Sequence, residues 1–324
     1  VHAIRDDRPH HLLEELAEAV DALAAQLGRT LILIAENDTN DPRLVRSRQA
    51  GGYGLDAAWA DDWHHALHAA LTGEHAGYYV DVVDPQTLPK ALQQAWVHDG
   101  TWSESRGRHH GRSPAGLPPP AFVVCAQNHD QVGNRAQGDR LAHLVSPGRL
   151  HVAAALLLTS PFTPMLFQGE EWAASSPFQY FTAHEDPDLA AAVRDGRRRE
   201  FAAFGWAPED VPDPQDRATF ERSRLDWAEP TRGPHAGVLD WHRRLIALRR
   251  ERPEITDPRI PLRATYEGGL LTTERGPLLV HANLRAEPVA VALPGPVLLA
   301  SPGVTDGGGR AQLPVDSVVI SARA

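Results

Sequence analysis

Sulfur is nearly missing from this 324-residue chain: Cys125 is its one cysteine and Met165 its one methionine. A single cysteine excludes an intramolecular disulfide framework and suits a reducing compartment, so a cytoplasmic setting is expected. Positive charge is also in short supply. Lys and Arg number 32 against 42 Asp and Glu, a formal net charge of −10. That balance disfavours nucleic acid or an anionic membrane as partner, since both call for basic patches. No apolar run approaches the ~20 residues of a membrane span. A GxGxxG or P-loop is absent, which argues against a nucleotide fold, and so is the GxSxG elbow of serine hydrolases. His64 and His68 stand one helical turn apart, as a metal pair can. Without an HExxH pattern or a cysteine beside them they do not make a metal motif, and no metal or cofactor enters the reading.

What remains is an apolar content of 42% with 23% charged residues, enough for a sizeable core in one large domain plus a small one. The spacing predicts a helix over 10–27 with Leu12, Leu13, Leu16, Val20, Leu23 and Leu27 on one face, stopped by Gly28. Residues 30–35 are apolar at every position after Thr30, the mark of a parallel strand covered on both faces. A short strand over 54–59, a helix over 61–71 with Asp61 as a plausible N-cap, and a helix over 88–97 follow. Residues 99–120 read as one long loop. Then come an apolar strand over 121–126, an apolar helix over 150–160, a strand over 165–172, helical pieces near 187–203 and an amphipathic helix over 235–253. After about Asp257 the pattern turns to short strands with Gly and Pro punctuation: 269–273, 278–284, 289–293, 297–300 and 315–322.

Alternating helices and strands argue for a parallel sheet. Polar groups follow several strands: Glu36-Asn37-Asp38 after the first, Gln127-Asn128-His129-Asp130 after 121–126, and Glu170-Glu171 after 165–169. Chemistry at the ends of several different strands favours a (β/α)8 barrel over a single-crevice sheet. Carboxylates facing one another across a cleft suit glycosidic bond cleavage, in which one protonates the leaving oxygen and a second attacks or activates water. Aromatic residues near these loops (Tyr53, Trp59, Trp63, Tyr78, Trp102, Trp172) suit apolar sugar faces, though each is at least as well explained by core packing.

The Asn128-His129-Asp130 triplet resembles the seventh-strand motif of the α-amylase clan of glycoside hydrolases. QNHDQVGNRAQGDRL, ENDTNDPRLV, GGYGLDAAWADDWHHALHAALTG and PFTPMLFQGEEWAASSPFQYFTAHED extend the likeness to its malto-oligosyltrehalose trehalohydrolase family. The resemblance implies a partial (β/α)8 TIM barrel, from about its fourth strand onward, over 1–257, with an irregular insertion at about 173–234. A small C-terminal all-β sandwich over 258–324 would follow. It implies retaining hydrolysis of the α-1,4 bond next to a terminal α,α-trehalose unit, with maltooligosyltrehalose and related α-glucans as partners. Glu36 would be the general acid/base and Asp130 the stabilising carboxylate. His129 would hold the same sugar, and Asp61, Asp62, Trp63, His64, His65, Gln131 and Asn134 would line the site. Glu36 is then expected to be partly buried beside another carboxylate, to carry a proton near neutral pH. In the family the nucleophile is an aspartate in a pattern like R-L-D-A-V-H-A-I. This chain opens Val1-His2-Ala3-Ile4, so that aspartate is expected just before Val1, and residues 1–324 alone are expected to be inactive. A branching enzyme or plain α-amylase of the same clan, or a catalytically dead barrel scaffold, are the alternatives.

Overall fold

The computed structural model describes residues 3–202, 206–207 and 210–323. Its first helix, α1 (Leu12–Leu27), starts where the His11 ring accepts the Leu13 amide proton and ends at Gly28, whose φ of 61° few other residues adopt. Short strands then alternate with helices. They are β1 (Ile34–Ala35), β2 (Ala57–Trp59), α2 (Asp61–Thr72), α3 (Thr87–Gln94), the hairpin β3 (Asp99–Ser103) and β4 (Arg108–Gly111), and β5 (Phe122–Cys125). Next come α4 (His129–Gly133), α5 (Leu141–Leu144), α6 (Pro147–Thr159), β6 (Thr163–Met165), α7 (Pro187–Ala202), α8 (Arg217–Arg222) and α9 (Gly233–Glu251). Strands β1-β2-β5-β6 form one sheet in chain order, and every pairing in it is parallel. A doubly wound nucleotide sheet reverses its order at a switch point; this one does not.

Three expectations change here. The run 30–35 is covered on one side only: its strand is Ile34–Ala35, with Ile32 62% and Ile34 43% exposed. The strand expected over 165–172 is Thr163–Met165, followed by a loop and a single 3-10 turn at Glu170–Trp172. The long loop over 99–120 contains the β3–β4 hairpin, pinned by the Asp81 carboxylate, which accepts from the Ser103 hydroxyl (2.8 Å) and the Glu104 amide (2.5 Å). Of the helical pieces expected near 187–203, residue 203 lies outside the described residues.

The C-terminal part is antiparallel. Strands β7 (Leu262–Glu267), β8 (Leu270–Arg275) and β9 (Leu278–Asn283) form a meander; β10 (Val289–Ala292), β11 (Val297–Ala300), β12 (Thr305–Gly307), β13 (Arg310–Leu313) and β14 (Ser317–Ala322) follow. They make a five-stranded sheet, β11-β14-β9-β8-β7, and a three-stranded sheet, β10-β13-β12. Strands β7, β12 and β13 were not foreseen from the sequence. A small apolar cluster around Val291, Leu313 and Val319 joins the two sheets. The main core runs without a break from Trp63, Leu67 and Leu157 on the helices to Val280, Val318 and Ile320 on β9 and β14. Gly148 at the start of α6 is packed so closely on Asp316 that a Cβ there would overlap its carbonyl. Among the described residues no helix is long and apolar enough to cross a membrane.

Candidate active site

Because β1, β2, β5 and β6 run the same way, whatever follows each strand collects on one rim of the sheet. Glu36 follows β1, Asp61 follows β2, the Gln127–Asp130 segment follows β5 and Glu170 lies beyond β6. Asp61 is the first residue of α2 and half-buried, and Ala60 occupies the N-cap position, so the expected capping role of Asp61 is not seen. Its carboxyl is pushed up to about 7, first by burial and then by the charges of Asp130, Asp62, Asp38 and Glu36. Several carboxylates converge here, and protons near neutral pH are held by Asp61 and by Glu170, whose carboxyl is pushed up to about 8, first by burial and then by the charge of Glu171. Glu36, expected to be partly buried, is exposed. Burial combines with like-charge neighbours at Asp61 and at Glu170, neither of which any sequence signal had marked for that role.

The triplet after β5 divides its work. Asn128 caps the short helix α4: its Oδ1 accepts from the Asp130 amide at 2.8 Å and the Gln131 amide at 3.3 Å. That bond fixes the turn from which His129 and Asp130 emerge, both exposed. His129 lies edge-on to Trp59 at 6.0 Å between ring centroids. Asp130 Oδ1 accepts from Asn134 Nδ2, one helical turn on, at 2.6 Å. Gln131 is buried, and its Oε1 finds no hydrogen-bond donor among the described residues; neither do Asn37 Nδ2 and Asn128 Nδ2 find acceptors.

Other residues expected to line the site are taken up by the fold. Asp62 is buried, and its Oδ2 accepts from the Val97 amide (2.7 Å), the His98 amide (2.7 Å) and Asn40 Nδ2 (2.8 Å). It ties the β1 loop to the base of the hairpin and presents no open face. Trp63 has no exposed surface and sits in the main core. His64 is buried too. Its Nδ1 must carry the proton, since it faces the Ala126 carbonyl at 2.8 Å, and burial keeps the ring neutral. His68 lies 2.8 Å from Glu74 and stacks on Tyr79, so the one-turn histidine pair braces the wall. His65, half-buried, stacks on Tyr78; burial lowers it to about 4, so it is neutral at pH 7. Among the described residues the one group with three metal-type ligand atoms in reach of each other is His10, Glu14 and Glu18 on α1.

Two further tethers had no signature in the sequence. Glu74, beyond α2, is gripped by both Arg135 guanidinium nitrogens at 2.9 and 2.8 Å, which holds the α4 loop against α2. Hairpin residue His110 faces the Asp38 carbonyl at 2.6 Å, so the hairpin leans on the β1 loop. A cavity of about 560 Å³ lies elsewhere, between α2, α3 and Tyr266 of β7, and none of the rim carboxylates lines it.

No family model matches the chain. It is 56% identical over 301 residues to the malto-oligosyltrehalose trehalohydrolase of Arthrobacter ramosus, covering 93% of this chain and 52% of that protein. It is 45% identical over 325 residues to the malto-oligosyltrehalose trehalohydrolase of Mycobacterium tuberculosis, covering 99% and 56%. A solved structure provisionally assigned as an alpha amylase from Salmonella typhimurium superposes with a TM-score of 0.83 at 34% identity, over 100% of this chain and 56% of that one. The chain thus spans about half the length of the curated relatives it matches.

Proposed function

We propose that this chain, homologous to the malto-oligosyltrehalose trehalohydrolases, carries the acid/base and stabilising half of a retaining glycosidase site. The observation that carries the proposal is the shared rim: Glu36 and Asp130 follow parallel strands on either side of β2, and both act on the proton affinity of Asp61 between them. Glu36 protonates the glycosidic oxygen as the α-1,4 bond beside the terminal trehalose breaks, then deprotonates the incoming water. Asp130 accepts from hydroxyls of the reacting sugar and offsets the charge of the oxocarbenium-like state. His129 and Asn134 stand beside it, and Asp61 and His65 form the wall. Asp61 holds a proton near neutral pH, which limits repulsion on the rim.

On this reading the attacking aspartate belongs to an RLDAVHAI-like pattern, of which residues 1–324 hold the Val1-His2-Ala3-Ile4 part. The rest of a (β/α)8 barrel seats on the apolar edge formed by β1 and α1, where Leu16, Leu23 and Ile32 are exposed. No cofactor takes part. A cytoplasmic setting suits the lone cysteine, which is buried.

The test is to supply the full-length polypeptide with maltooligosyltrehalose and, separately, a linear maltooligosaccharide. Release of trehalose, with the new reducing end first appearing as the α-anomer, is expected. The likeness to a provisionally assigned alpha amylase supports a second reading, and preference for the linear sugar would select it. Residues 1–324 alone are expected to release no trehalose; turnover near the full-length rate would remove the missing-nucleophile part of the proposal.

A further inference from the structure

We infer that Arg197, on the insertion helix α7, is a positioning residue that sets the orientation of Asp130 through Asn134. The inference rests on the stabilising role proposed for Asp130. Arg197 Nη1 donates to Asn134 Oδ1 at 2.8 Å, and Asn134 Nδ2 donates to Asp130 Oδ1 at 2.6 Å. A guanidinium has donors and no acceptor, so the amide can meet it only through its oxygen. The NH₂ group is thereby turned toward the carboxylate, and the amide cannot flip without setting its oxygen against Asp130. The positive charge also polarises the amide and strengthens its N–H as a donor. With Oδ1 engaged, Asp130 Oδ2 takes no hydrogen bond among the described residues and is the oxygen left for a sugar hydroxyl.

Arg197 is itself held from three sides. Its Nη2 donates to the Gly133 carbonyl at 2.8 Å, at the end of α4. Its guanidinium lies 4.4 Å from the Tyr180 ring centroid and 4.6 Å from that of Phe201. The insertion at 173–234, to which the sequence assigned no role, thus reaches the rim through one side chain.

The experiment is made on the full-length polypeptide with maltooligosyltrehalose. Arg197→Met should lower kcat by ~10–100-fold with KM changed by less than about threefold. Arg197→Lys keeps one donor for the amide and should recover part of the loss. Asn134→Asp should lower kcat at neutral pH and regain it as pH falls, because only a protonated carboxyl can donate to Asp130. A crystal structure of Arg197→Met needs no substrate: the Asp130 carboxylate should turn from its wild-type orientation. Unchanged kcat in Arg197→Met, or an unmoved Asp130 carboxylate in its crystal structure, overturns the inference. A wild-type protein that releases no trehalose sinks the functional reading instead, and the crystal structure of Arg197→Met still decides the orientation of Asp130.

Discussion

Helices α1 and α6 both flank the parallel sheet and both are rich in leucine and alanine, yet they end in opposite states. In α6 every residue from His151 to Thr159 is buried. In α1 only Leu13 and Ala17 are, while Leu12, Leu16, Leu23 and Leu27 are 44–51% exposed. Helix α6 has α9 on one side and β14 on another, and its core is continuous with the C-terminal sheet. Helix α1 meets only a small cluster of Ala35, Leu44, Leu55 and Ala58. Apolar content is therefore no measure of how much an element stabilises. Partners on both sides are what turn a stripe into a core, and α1 has them on one side.

The comparison can be broken most directly by matched truncations. Leu157→Ala on α6 should cost about 3–4 kcal/mol and Leu23→Ala on α1 less than about 0.5 kcal/mol, read from denaturant midpoints at constant m. Equal losses would mean that α1 is as well packed as α6. A step down in size, Asp62→Ala should cost about 2–3 kcal/mol, because the Val97 and His98 amides lose a buried acceptor. Faster hydrogen exchange at those two amides would show that the loss is local.

Asp61→Asn sharpens the contrast at the polar rim. The Asp61 carboxyl titrates near 7 in the folded protein, above its ordinary 3.8, so folding binds a proton that unfolding releases. The stability this gives is present below about pH 4 and lost as pH rises to 7. The asparagine variant should match wild type near pH 4 and exceed it by roughly 1–2 kcal/mol at pH 8. A gain independent of pH would exclude the carboxyl as its cause. The smallest effect on stability belongs to the α1 edge: Leu16→Gln with Ile32→Thr should leave the melting temperature within about 2 °C. The same pair should weaken self-association of residues 1–324 in sedimentation velocity, and unchanged association would deny that edge a role in docking.

Much of this was legible in the sequence. The 3.6-residue period located α1, an acidic start located α2, unbroken apolar content located α6 and amphipathicity located α9, and the switch from apolar to amide and carboxylate at Ala126–Asp130 marked the rim. The exposure of α1 was not legible, because a stripe shows which residues share a face and not what lies against it. The β3–β4 hairpin was missed because Gly100, Ser105 and Gly107 dilute any alternation, and its hold comes from Asp62 and Asp81, well upstream in sequence. Strand β13 hid because Arg310 and Gln312 alternate with only two buried residues, Ala311 and Leu313. Asp62 and Asp61 are neighbours of one type with opposite fates. One faces the backbone of Val97 and His98; the other faces four like charges, which no local pattern encodes.

Gly148 carries a consequence for how such a chain can vary. Its contact with Asp316 joins the first turn of α6 to the loop before β14, and any side chain at 148 meets a backbone carbonyl. Position 148 therefore has no neutral neighbours in mutational space while that carbonyl stays where it is. A lineage that lost the glycine would first have had to shift or lengthen the 314–316 turn. The order of those two changes is imposed by the seam, so the helical layer and the C-terminal sheet drift together at this point.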